Sequence, residues 1–197
     1  MIVLQQGTGL YEPMLDLVMP LHAKKCEAQS HEYQPIRMQY LSGRYKPCEK
    51  YHWILAALAR DDALWIDGDV WLCGDEDLNQ LSDADVAGVR NGDGEINTGV
   101  IWFKRSEKVI AFLKSLLETM REAVALRSTE WAEQWHANQR LPHSGLKVNV
   151  LDSRWNAYRN VMNRPTEPVQ IRAFHDTQAG PEQKLKRMRL AIERGAA

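Results

Sequence analysis

The chain of 197 residues carries 44% hydrophobic and 26% charged residues and a formal net charge of −1, the balance of a soluble globular protein rather than of a disordered or fibrous one. A near-neutral total removes the global electrostatic drive toward nucleic acid or an anionic bilayer. Cys26, Cys48 and Cys73 are widely spaced and odd in number, no apolar run reaches membrane-spanning length, and no basic n-region opens the chain, so the expectation is one cytoplasmic domain over residues 1–197 without a disulfide framework, a zinc site or a membrane anchor.

The first predicted element is a strand over Ile2–Gln5, left by the loop Gln6-Gly7-Thr8-Gly9. Apolar residues at Leu15, Val18, Met19, Leu21 and Ala23 predict a helix from Tyr11 to about Ser30, bent or split at Pro20. Pro35–Tyr40 alternates like a second strand, and Ser42–Pro47 is a polar, basic loop. Glu49–Arg60 predicts a helix with Trp53, Ile54, Ala57 and Leu58 on one face. Asp61-Asp62 ends it, and the central strand, through Ala63–Leu72, begins. An acidic turn at Gly74–Asp77 and a short helical piece at Leu78 and Leu81 follow, then strands at Asp85–Val89 and Ile96–Phe103 joined by a glycine-rich turn. Ser106 is the expected N-cap of a helix to about Ala125 with Val109, Ile110, Leu113, Leu116, Leu117 and Met120 as its stripe. A helical stretch around Trp131 and Trp135, strands at Lys147–Leu151 and Val169–Phe174, and a basic helix over Pro181–Arg194 complete the chain. Alternation of helices and strands through the first half predicts an α/β fold with a sheet under helices.

The central run carries the chemistry. Asp67 and Asp69 are spaced i, i+2 after the apolar segment Ala63–Ile66, and in an extended segment such side chains share one side. Two hard carboxylates suit Mg²⁺ or Mn²⁺, above all a cation that also holds a phosphate. Gly68 between them permits close approach of a ligand to the backbone. The competing reading is a strand followed by an ordinary acidic turn.

Lys50–Trp53 followed by Leu64–Val70, with Ile96–Phe103, Asn138-Gln139, Val150–Asn156 and Phe174–Gly180 in that order, resembles the GT-A nucleotide-sugar glycosyltransferases of the galactosyl/mannosyltransferase and glycogenin-like branches. The resemblance covers nearly the whole chain and implies a Rossmann-like, mixed but mostly parallel sheet flanked by helices. It implies that Asp67, Asp69 and His175 bind the metal. Thr8 and Tyr11 would hold the nucleoside, although Tyr11 fits a core aromatic at a helix start equally well. Arg44 and Lys50 would contact phosphate or donor sugar, Asn97 and Gly99 would sit beside that sugar, and Lys184 or Lys186 would reach the diphosphate. Asn138-Gln139 stands where many relatives have Asp-Gln, so Asn138 and Gln139 are the expected catalytic pair and a carboxylate is missing there. The resemblance thus implies hexosyl transfer from a nucleoside-diphosphate sugar, by default a UDP-sugar, with retention of configuration. An inverting enzyme would need a base such as Asp152, Asp176 or Glu130.

Three other readings stay open in the sequence. A haloacid-dehalogenase-type phosphatase also has a strand ending in Asp-x-Asp, with Asp67 as nucleophile and Asp69 as acid/base, but some sixty residues precede the motif here. A non-catalytic sugar- or nucleotide-binding module would share the fold. The acceptor is a glycan, a protein or a modified DNA base; the basic run Lys184–Arg189 is the feature that would meet the phosphates of hydroxymethylated phage-type DNA.

Overall fold

The computed structural model describes residues 1–38, 48–81, 83–125, 132–157, 168–174 and 180–195. In chain order its elements are β1 (Ile2–Gln6), α1 (Glu12–Ala28), β2 (Glu32–Ile36), α2 (Glu49–Leu58), β3 (Ala63–Asp67), β4 (Val70–Leu72), β5 (Val86–Arg90), β6 (Ile96–Phe103), α3 (Glu107–Ala125), α4 (Ala132–Arg140), β7 (Val148–Leu151), β8 (Ile171–Ala173) and α5 (Pro181–Glu193). Short 3-10 turns fall between several of them. The loop expected at Ser42–Pro47 lies outside the described residues.

Six strands form one sheet in the order β2-β1-β3-β6-β5-β7, and β4 pairs separately with β8. β1 runs parallel to β2 and β3, and β5 parallel to β7, while β6 is antiparallel to both β3 and β5. This is the mixed, mostly parallel α/β sheet that the sequence leads one to expect. The reversed strand matters for function. It brings the start of β6 to the edge where β1 and β3 finish, so residues just after Ile96 lie beside Asp67.

Side chains sort by the period-two rule of a pleated sheet covered on both faces. Ile2, Leu4, Trp65, Ile101 and Phe103 point into one core with Tyr51, Ile54 and Leu58 of α2 and Val109, Leu113 and Leu116 of α3. Val3, Leu64, Ile66, Val100 and Trp102 point the other way, toward β4, β8 and Trp155. A third cluster joins Met14 and Val18 of α1 to Trp71 of β4 and Met188 of α5. That cluster fixes the position of α5 and of every residue it carries.

Three local expectations change. β2 spans Glu32–Ile36, in register with Ile2–Gln6 of β1, where the alternation predicted a strand over Pro35–Tyr40. α1 passes through Pro20 without interruption; Pro20 sits on the exposed face, where water can satisfy the carbonyl whose partner proline removes. The run Ala63–Leu72 is two strands, not one. β3 stops at Asp67, Gly68 and Asp69 form a turn, and β4 leaves the main sheet to pair Val70 with Ala173. A Cβ on Gly68 would stand 2.6 Å from the Gln6 carbonyl oxygen. The glycine therefore makes room for the neighbouring strand rather than for a ligand.

Candidate active site

Asp67 ends β3 and Asp69 follows in the turn, so their convergence comes from the turn and not from extended-strand alternation. Both line a cleft with Val70, Asn97, Thr98, Gly99, Glu133, Gln134, Asn156 and Ala173. The cleft lies at the carboxyl edge of the sheet, beside the reversal of strand direction at β6. Ligands of open α/β sheets collect at such edges.

The turn is held from behind by a buried polar chain. Gln5 Nε2 donates to the Asp67 carbonyl at 3.1 Å and to the Val70 carbonyl at 2.9 Å. Gln5 Oε1 accepts from Tyr33 O–H at 2.7 Å and pairs with His22 Nδ1 at 2.9 Å. The Leu72 N–H donates to His22 Nε2 at 2.9 Å. Nε2 must then be the bare nitrogen and Nδ1 the protonated one, which identifies a neutral imidazole. Burial, reinforced by Lys25, pushes the His22 pKa down to about 3.

Each metal-type carboxylate already has a cation. Lys50 Nζ lies 3.6 Å from Asp67 Oδ1 and 3.0 Å from Glu133 Oε1, and donates to the Thr98 carbonyl at 3.0 Å. Burial lowers the affinity of this ammonium for its proton, but Asp67 and Glu133 outweigh burial and raise its pKa. Lys184 Nζ donates to Asp69 Oδ2 at 2.7 Å and stands 5.5 Å from the centre of the Tyr11 ring. There too burial pulls the pKa down and the carboxylate more than restores it. Trp65 Nε1 adds a 2.8 Å bond to Asp67 Oδ1. Asp67 Oδ2 is turned toward Gly99, where a Cβ would be only 2.8 Å away.

These residues fit a hard divalent cation. Two carboxylates line one cleft, one oxygen of Asp67 borders a space that a side chain at position 99 would fill, and ammonium groups stand in for the cation's charge. Mg²⁺-like ions are commonly held by one or two carboxylates, with phosphates and waters completing the shell. Among the described residues no group of three metal-type ligands gathers, and His175 lies outside the described residues.

The other expected site residues divide. Asn97 and Gly99 line the cleft, and Asn97 Oδ1 accepts from the Gly99 N–H at 2.8 Å. Tyr11 reaches the site through Lys184. Thr8 is half-buried at the start of a 3-10 turn, with its carbonyl bonded to the Tyr11 N–H, and is not among the cleft residues. Lys50 is 5% exposed and committed to carboxylates, so it does not offer a free ammonium to phosphate. Lys186 is exposed on the outer face of α5, and Arg44 lies outside the described residues.

Asn138 and Gln139 do not line this cleft. Asn138 Oδ1 accepts from the Ile96 N–H at 2.7 Å, and its amide donates to the Ile96 and Gln134 carbonyls. It pins α4 to the start of β6. Gln139 faces solvent. The residues that α4 turns into the cleft are Glu133 and Gln134, about one helical turn earlier. Glu133 receives Thr98 Oγ1 and the Lys50 ammonium, and Gln134 Oε1 accepts from the Thr98 N–H. The readable signal is the acid-amide dipeptide itself, five positions upstream of Asn138-Gln139. A carboxylate is therefore present in the cleft.

Asn156 ends the Val150–Asn156 segment, and the resemblance implies no role for it. It is 1% exposed, it lines the cleft, and neither atom of its amide has a partner among the described residues. A buried polar group without a partner costs about 1–3 kcal/mol. That cost is relieved when a ligand hydroxyl supplies the missing bonds.

No protein-family profile and no curated protein sequence matches the chain. Among solved structures, it is similar to a glycosyltransferase involved in the glycosylation of the major capsid of PBCV-1, with a TM-score of 0.70 at 14% identity over 96% of this chain and 98% of that one. It is also similar to the glycosyltransferase GlyE of Streptococcus pneumoniae TIGR4, with a TM-score of 0.63 at 12% identity over 99% of this chain and 64% of GlyE. The apo form of GlyE superposes with a TM-score of 0.64. The fold of this chain is therefore the GT-A-like fold of these glycosyltransferases.

Proposed function

We propose that the chain is a metal-dependent glycosyltransferase moving a sugar from a nucleoside-diphosphate donor to an acceptor hydroxyl. The observation that carries this reading is the cleft at the sheet edge, where Asp67 and Asp69 converge beside Asn97, Gly99 and the unpartnered Asn156. Bound Mn²⁺ or Mg²⁺ would neutralise the charge that grows on the departing diphosphate. Asp67 and Asp69 would hold it, and Asn97, Gln134 and Asn156 would orient sugar hydroxyls. UDP-linked hexoses are the donors to test first.

In the reaction the acceptor oxygen bonds to the anomeric carbon, the bond from that carbon to the diphosphate oxygen breaks, and the acceptor proton passes to the departing phosphate. Retention of configuration agrees with the engagement of the cleft carboxylates by Lys50, Thr98 and Lys184. Asp152 is bound by Arg154; Asp176 and Glu130 lie outside the described residues.

Nucleoside-diphosphate release from a panel of nucleotide-sugars with Mn²⁺ tests the reading. Release is expected for at least one donor, to fall at least about a hundredfold in Asp67→Asn and Asp69→Asn, as loss of a strong electrostatic contribution does, and to give a product of retained anomeric configuration by NMR. Metal-dependent turnover of p-nitrophenyl phosphate with no response to any nucleotide-sugar would instead favour the phosphatase. Donor binding without release would favour the non-catalytic module.

A further inference from the structure

The Lys184–Asp69 contact is short, and both side chains are almost wholly enclosed, at 7% and 6% exposure. It is not a surface pair. Lys184 sits one turn into α5, and Met188 of the same helix, one turn further on, is fully buried against α1 and β4. The helix is thus anchored so that its ammonium lies on Asp69. A divalent cation shared by Asp67 and Asp69 would meet that ammonium as a like charge on the same carboxylate.

We propose that Lys184 is a coupling residue: it occupies Asp69 as an internal cation, hinders metal binding alone, and leaves the carboxylate for the phosphates when metal and nucleotide arrive together. The inference rests on the glycosyltransferase reading and adds an order of loading to it. Lys50 does not play the same part, because Glu133 and the Thr98 carbonyl hold it at 3.0 Å while Asp67 is at 3.6 Å. Among the described residues Lys184 has one carboxylate partner, and the Tyr11 ring at 5.5 Å offers its charge a second resting place. A diphosphate beside the cation gives the ammonium a more charged acceptor than Asp69. Each ligand then removes an obstacle to the other, and the coupling must be reciprocal.

The test measures Mn²⁺ binding by electron paramagnetic resonance with and without nucleoside diphosphates, in the wild type and in Lys184→Met, with Asp67→Asn/Asp69→Asn as background for adventitious sites. Wild type should bind Mn²⁺ weakly alone and about tenfold or more tightly with a nucleoside diphosphate, within the usual range of such couplings. Lys184→Met should bind Mn²⁺ alone about tenfold more tightly than wild type, and the enhancement by nucleotide should shrink. Lys184→Arg should behave as wild type, and Lys184→Gln replaces Lys184→Met if that variant fails to fold. Unchanged or weaker binding of Mn²⁺ alone on removal of the ammonium overturns the coupling role while leaving the enzyme assignment intact. Wild type that binds no nucleoside diphosphate with Mn²⁺ overturns the assignment, and the coupling with it.

Discussion

A buried amide with two unused ends is an expensive residue. Asn156 sits in the cleft wall with Asp69 and Ala173, and among the described residues neither Oδ1 nor Nδ2 is bonded. Replacing it by an apolar residue of similar size removes the desolvation cost without leaving an orphaned partner. Asn156→Leu is therefore expected to raise the melting temperature by a few degrees. The same variant should weaken binding of nucleotide-sugars while leaving binding of the bare nucleoside diphosphate nearly unchanged, both readable by calorimetry. A melting temperature that falls, or equal losses for both ligands, would show that the amide has a structural task instead. Gly99 marks the opposite wall, where the absence of a side chain leaves room beside Asp67 Oδ2.

At the scale of elements, the Asp67–Val70 turn owes its shape to three others: Gln5 of β1, His22 of α1 and Tyr33 of β2. This chain requires an uncharged imidazole, because protonated Nε2 cannot accept from the Leu72 N–H. With a folded pKa of about 3 against an ordinary value of 6.5, the folded protein holds fewer protons than the unfolded chain between those limits. Stability from His22 is complete above pH 6.5 and declines as pH falls toward 3. At pH 5 the loss amounts to about 2 kcal/mol, each pKa unit being worth about 1.4 kcal/mol. Urea denaturation of wild type and His22→Gln at pH 7.5 and pH 5 checks this. The difference between the two proteins should narrow by that amount at the lower pH, and a constant difference refutes the neutral-histidine account. Apolar periodicity is local, so β6 and the stripe of α3 fall where the residue pattern places them. The single strand expected through Leu72 failed because Val70, Trp71 and Leu72 are as apolar as β3 itself. Only the pairing partner separates them, and β8 lies about a hundred residues away.

Over the whole molecule, charge is distributed rather than massed. The formal total is −1, and α5, the most basic stretch, does not present a uniform face. Lys184 is turned inward to Asp69, while Lys186 and Arg189 share the outer groove with Glu182, Leu185, Leu190 and Glu193. A gel-shift with duplex DNA should show no retardation at physiological salt, and only weak, salt-sensitive retardation near 10 mM. Tight binding at physiological salt would revive the modified-DNA acceptor, since phosphate contacts dominate such affinity. No helix among the described residues is long and apolar enough to cross a membrane.

The chain's residues alone determined most of the strands and helices, that they build an α/β fold, and that Asp67 and Asp69 are the acidic pair to test. These properties follow from short-range periodicity and from side-chain chemistry, which survive without any partner in space. Tertiary structure decided what surrounds the pair. It turned Glu133 and Gln134 into the cleft and left Asn138 and Gln139 out of its lining, because the facing of a helix depends on what it packs against. It placed Lys184 on Asp69 across 115 positions of chain, and it left Asn156 unpartnered in the wall. A contact between residues that far apart is fixed by the packing of β4, α1 and α5, and no local pattern encodes it.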